Sequence, residues 1–204
     1  ANSPTTLGAH LVWAFESYAK AKNHYTGITY NFSGNTASVS GWLSSFKQGY
    51  NNDFSWLSNN RSSLKNKGVI TSTADNHYLS DDYDHAYKYW GGNWRMPNSS
   101  EMAALANTSN YTRKWVTMNG VPGILIISNS NGNSLFLGAW GKWGDKDASG
   151  GRDYVKFAPN CYYWTTTAVN NNDNALCGDF QSATSYSSNN YTRNQGMQIR
   201  PKIR

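Results

Sequence analysis

Few residues in this chain are placed to do covalent chemistry. Its two cysteines, Cys161 and Cys177, lie 16 residues apart (177 − 161), a spacing that matches no zinc or redox motif. In an exported chain they either close a disulfide, worth about 3 kcal/mol in the chain-entropy model, or stay as two buried thiols. No base stands at a recognisable spacing from a nucleophile. His85 is the lone histidine between residues 79 and 204, so no transition-metal set is indicated. Asp173, Asn174 and Asp179 make an oxygen-rich stretch. Calcium takes about six to eight oxygen ligands, and this stretch supplies some of them. The expectation is no cofactor, with calcium left open.

Non-covalent contact is better served. The segment "NNNDNALCGDFQSATSYSSNNYTRN", residues 170–194, is dominated by Asn, Ser, Tyr and Thr. Tyrosine offers rigid amphipathic area at low entropic cost, and Ser and Asn offer adaptable hydrogen bonds. The candidate contact residues are Asn170, Asn171, Asn172, Asp173, Asn174, Tyr186, Ser187, Asn189, Asn190, Tyr191 and Arg193. "GKWGDKDASGGRDY", with Trp143, Asp145 and Arg152, reads as a second loop with an aromatic tip. Polar planar groups beside a ring suit a carbohydrate as well as a protein. Plain solvated loop is the competing reading of both stretches.

Composition narrows the class. Apolar residues make up 38% and charged residues 15%, both below the globular averages of about 45–50% and 25%. Nine Trp, 14 Tyr and 7 Phe nonetheless argue against disorder, because large rings can build a core. The net charge of +6 is scattered, apart from the terminal "RPKIR", so no nucleic-acid stripe is expected. No apolar run reaches the roughly 20 residues of a membrane span. The start "ANSPTTLG" carries no signal-peptide pattern and reads as a trimmed mature chain. Few charges with much Asn, Ser, Thr, Tyr and Gly favour an extracytoplasmic home.

The elements that must position these residues are unevenly legible. Residues 1–80 read as an irregular N-terminal part of the same domain. They carry a strand at Leu11–Phe15, and Trp42, Phe46, Phe54 and Trp56 serve as anchors. "SDDYDHAYKYWGG" reads as a helix capped by Ser80 or Asp81, ended by Gly91, and buried along Tyr83, Ala86, Tyr87 and Trp90. "NSSEMAALANTS" reads as a second helix, with Asn98 as N-cap, Glu101 completing a capping box, and Met102 and Leu105 facing the core. From Lys114 the period becomes two. Asn119-Gly120 signals a tight hairpin and "NSNGNS" the next turn. "CYYWTTTA", "ALCGDF" and "GMQIRPK" are further short strands. Helices followed by antiparallel strands make an α+β domain.

Between the helices lies "WGGNWRMP". Trp90, Gly91, Gly92, Trp94, Arg95 and Pro97 read as a structural motif. It supplies a helix stop, a tight turn, Trp94 as core plug and a fresh helix start, with Arg95 pairing with Asp82 or a backbone carbonyl.

This order resembles the Fibrobacter succinogenes major paralogous domain, a family of bacterial, largely Bacteroidetes, surface domains similar to the C-type lectin-like fold. The resemblance rests on Asp81, Asp82, His85 and Ala86 leading to Trp90, Gly91, Gly92, Trp94, Arg95, Met96 and Pro97. It continues through Asn119, Gly120, Val121 and Gly123, then Asn131 to Leu137. Tyr162 to Thr165 and the closing Ile199, Arg200 and Pro201 complete it. It covers residues 79–204 and departs at Gly138, where the family usually has Pro, and at both cysteines. It implies a C-type lectin-like core over 81–204 with variable-looking loops at about 165–195. The Glu-Pro-Asn or Gln-Pro-Asp signature of calcium-dependent sugar lectins is absent.

The 170–194 segment also resembles the variable region of diversity-generating retroelement proteins of the phage tropism-determinant kind. Together the resemblances imply a non-enzymatic binding domain. It would be extracellular, on a bacterial cell surface or on a phage particle, and would meet a cell-surface protein or a carbohydrate. A structural subunit or stalk of a surface appendage is the alternative. An enzyme on the formylglycine-generating scaffold fits worse, because that chemistry needs a close cysteine pair.

Overall fold

The computed structural model describes residues 11–14, 29–33, 36–40, 60–146, 152–154, 160–170, 173–193 and 195–204. Trp42, Phe46, Phe54 and Trp56 lie outside them, as do Asn171 and Asn172. The fold is α+β. Among the described residues three short helices accompany several small antiparallel sheets.

The N-terminal strand β1 is Leu11–Val12, two residues rather than the five expected, because the chain turns at Trp13 and Ala14. β2 (Thr29–Ser33) and β3 (Thr36–Ser40) form a hairpin. Helix α1, Arg61–Asn66, arises where sequence reading saw mostly loop. The Asn60 side chain accepts from the Ser63 N–H as its N-cap.

Helix α2 is His85–Trp90, later than its capping signals suggested. Asp84, not Ser80 or Asp81, is the N-cap, and its carboxylate accepts from the Ala86 and Tyr87 N–H groups. Gly91 ends the helix at φ 68°, as expected. β4 (Trp94–Arg95) pairs with the C-terminal β14 (Lys202–Ile203). Helix α3, Ser99–Ala104, starts with the expected capping box of Asn98 and Glu101, and Met102 is buried.

A three-stranded meander follows: β5 (Tyr111–Met118), β6 (Val121–Ser128) and β7 (Ser134–Gly138). Asn119 and Gly120 both take positive φ, 50° and 80°, the backbone a two-residue type I′ turn requires. β8 (Trp143–Lys146) and β9 (Arg152–Tyr154) occupy the ends of the expected aromatic-tipped loop, so Trp143 starts a strand there. β13 (Gly196–Met197) lies between β1 and β8.

The central sheet is β10 (Cys161–Ala168), β11 (Asn174–Phe180) and β12 (Tyr186–Thr192), in that order. Every residue of β10 is buried, so this sheet carries core on both faces. Tyr162, Trp164, Ala168, Ala175 and Cys177 pack one face against Trp13, Leu64, Val69, Ile70, Leu79, Ala86, Met96 and Met197. Cys161, Tyr163 and Phe180 pack the other against Met102, Ile124, Ile126 and Leu137. Buried ring N–H groups are matched: Trp13 Nε1 donates to the Thr165 carbonyl at 2.8 Å and Trp164 Nε1 to the Gln195 carbonyl at 3.3 Å.

Candidate functional site

The Trp-Gly-Gly junction is held by two carboxylates. Asp84 is 1% exposed and accepts from the Met96 N–H at 2.9 Å as well as from the first turn of α2. One side chain thus ties the helix start to the chain beyond the turn. Burial pushes its pKa up, against the three backbone donors that pull it down.

Glu101 receives both Arg95 nitrogens at 2.8 and 3.2 Å, Lys202 Nζ at 2.6 Å, the Tyr78 hydroxyl at 3.0 Å and the Asn98 N–H at 3.0 Å. Burial raises its pKa, but these donors outweigh it and hold the carboxyl at about 2. Arg95 therefore pairs with Glu101, and not with Asp82. Its guanidinium lies 3.8 Å from the Tyr78 ring centre.

The two tryptophans of the junction correct expectation. Trp94 is 37% exposed and is no core plug; Met96, fully buried, takes that place. Trp94 sits on a two-stranded ribbon opposite Ile203, itself 59% exposed, and both side chains stay partly open to solvent. Trp90 is 44% exposed because it is the last residue of α2 and the chain leaves at Gly91. His85 is buried. Among the described residues no three His, Cys, Asp or Glu side chains cluster as a metal set.

The cysteines do not bridge. Cys161 lies opposite Phe180 in the β10–β11 register, and Cys177 opposite Trp164. Strand alternation puts them on opposite faces of the sheet, in different core clusters. Both are free, and burial raises both thiols above their ordinary range.

The described residues on either side of 171 and 172 are held by three buried groups. Arg61 Nε donates to the Ala168 carbonyl at 2.7 Å, and the Arg61 N–H donates to the Asn170 carbonyl. His77 Nε2 accepts from the Ala168 N–H at 2.9 Å. Arg193 donates from Nε to the Asn174 carbonyl at 3.1 Å and from its backbone to Asp173. Arg193 is thus a buried support, 1% exposed, and no contact residue as had been expected. Desolvation draws its pKa down to about 10. Asn170 and Asp173 are exposed above this frame, and Asn174 is half-buried.

Residues 186–192, expected as loop, are the strand β12. It is an edge of the central sheet among the described residues. Tyr186 packs on Phe180 with ring centres 4.7 Å apart, and Tyr191 meets Tyr162 edge-on at 5.9 Å. Ser188, which sequence reasoning passed over, and Asn190 are exposed. The Asn174 amide donates to Asn190 Oδ1 at 2.9 Å, a side-chain link between β11 and β12. Asp173 and Asp179 sit at opposite ends of β11, about 20 Å apart at the usual rise per residue, so no shared calcium site forms.

Sequence reading also missed the surroundings of Asp179. Asn160, Gln181 and Asn189 all donate to its Oδ2, at 3.3, 2.9 and 2.9 Å. Lys142 Nζ lies nearby, 4.1 Å from the Tyr191 ring centre and 2.8 Å from Gln195 Oε1. The available signal was one carboxylate inside the otherwise uncharged strand "NALCGDF".

Comparison with protein-family models, with curated proteins and with solved structures finds no match for this chain.

Proposed function

We propose that this chain is a non-enzymatic ligand-binding domain of C-type lectin-like fold, displayed on a bacterial surface or a phage particle, that meets a protein or glycan through its C-terminal sheet. The observation that carries the reading is β12. Seven consecutive uncharged residues, Tyr-Ser-Ser-Asn-Asn-Tyr-Thr, run along what is, among the described residues, one edge of a sheet whose opposite strand, β10, is fully buried. Edge strands are usually blunted by Lys, Pro or inward charge, and this one carries none. Its composition is that of a contact surface, and its scaffold is rigid.

A non-enzymatic role is supported by the thiols. Both are buried with raised pKa, so neither offers a thiolate at neutral pH. Diversification by a retroelement belongs to the same proposal. It predicts a near-copy of the coding segment for residues 160–200, differing at adenines, beside a reverse transcriptase gene.

The scaffold reading is tested with a library randomised at Asn170, Asp173, Asn174, Ser188 and Asn190. Most members are expected to fold, with melting temperatures within a few degrees of the parent, and selection is expected to yield binders. A library that largely unfolds would contradict it.

A further inference from the structure

Asp179 is a carboxylate with half of its capacity unused. It is 1% exposed, three amides crowd its Oδ2, and Oδ1 has no partner among the described residues. A buried acceptor left open is destabilising, and more so when charged. Burial raises the pKa of this group, consistent with that cost. The Gln181 amide oxygen accepts from Ser185 Oγ at 3.4 Å, so the open acceptor of this cluster is Oδ1. Tyr162 lies opposite Asp179 in the β10–β11 register, and the Tyr191 ring meets Tyr162 edge-on. Ser187 lies directly opposite Asp179 in the β11–β12 register. Gln181 is exposed, so its side chain can turn to solvent and uncover the carboxylate.

We propose that Asp179, ringed by Asn160, Gln181 and Asn189 beside the Tyr162–Tyr191 ring pair, is a subsite for a neutral saccharide whose hydroxyl donates to Oδ1. The inference rests on the reading of β12 as the contact strand and names the ligand class for its inner face. An open buried acceptor needs a donor, and a neutral sugar hydroxyl supplies one without bringing a charge. Sugar C–H faces need a ring, and Tyr191 supplies one. A cation is disfavoured, because the Lys142 ammonium already stands 4.1 Å from that ring centre. The same ammonium can donate to a hydroxyl oxygen of a neutral ligand.

Saturation-transfer NMR on the whole chain tests this. The probes are the methyl glycosides of glucose, galactose, mannose, fucose and N-acetylglucosamine at millimolar concentration, with tetramethylammonium and arginine methyl ester as cationic probes. At least one glycoside is expected to give signal, and Asp179→Asn is expected to weaken its affinity roughly tenfold or more, the scale of one hydrogen bond to a charged group. Thr117→Ala, exposed on β5 and outside the C-terminal sheet, is expected to leave it unchanged. If Asp179→Asn fails to fold, Gln181→Ala decides: a stronger signal supports the subsite and an unchanged one overturns it. Silence from all glycosides, or glycoside binding indifferent to Asp179→Asn, overturns the inference. So does a cationic probe whose signal vanishes in that variant. If glycosides are silent while a surface protein binds through Ser188 and Asn190, the saccharide inference falls and the binding-domain reading stands.

Discussion

Asp84 shows how much one side chain can organise. It caps α2 and reaches across the Gly91-Gly92 turn to the Met96 N–H, so its loss leaves three backbone donors without this acceptor. Asp84→Ala is expected to cost about 2–4 kcal/mol in urea unfolding, combining a lost cap with unsatisfied buried donors. Asp84→Asn keeps an acceptor oxygen and is expected to cost less; equal losses would contradict the acceptor account. His77 makes stability depend on pH. Burial lowers its pKa from 6.5, aided by Arg61 and Arg193 and opposed by Asp75 and by its bond to the Ala74 carbonyl. The unfolded chain therefore takes up the proton first as pH falls. His77's contribution is fully present above about pH 6.5 and is lost progressively below it. Unfolding free energy at pH 7.5 and pH 5 is expected to differ more in the parent than in His77→Gln. Equal pH dependence in the two would show that another group is responsible.

Elements divide by how local their signals are. The α3 start was readable because both halves of its capping box, Asn98 and Glu101, lie three residues apart. Asn98→Ala is expected to lower stability by about 1 kcal/mol, measured by thermal unfolding, and an unchanged midpoint would contradict the cap. The Asn119-Gly120 hairpin was readable for the same reason. Failures came where partners are distant in sequence. The cysteines looked bridgeable until the register of β10 on β11 put them on opposite faces. Trp94 looked like core until its pairing with the C-terminal Ile203 placed it at an open edge. Tyr186–Thr192 looked like loop because Asn and Ser have poor strand propensity. Pairing along all seven residues of β11 overrides that preference.

For the whole molecule, a sheet packed on both faces presents, among the described residues, one uncharged edge, with Asn170 and Asp173 exposed beside it. The contact residues were legible as composition, whereas Arg193 as support and Asp179 with its amide ring emerged only from topology. An uncharged edge also suits the alternative of a subunit that pairs with its own kind. Sedimentation velocity separates the two: the binding-domain reading expects a monomer across concentration, and concentration-dependent assembly abolished by Ser188→Lys would favour the subunit reading. The central claim, that the C-terminal sheet is the recognition surface, is tested most directly by one comparison. The parent and a Ser188→Ala/Asn190→Ala double variant of equal melting temperature are screened on a glycan array and a panel of bacterial and host surface proteins. The account predicts at least one ligand bound by the parent and weakened at least tenfold in the variant. Every bound ligand held equally by both, or none held by either, would contradict it.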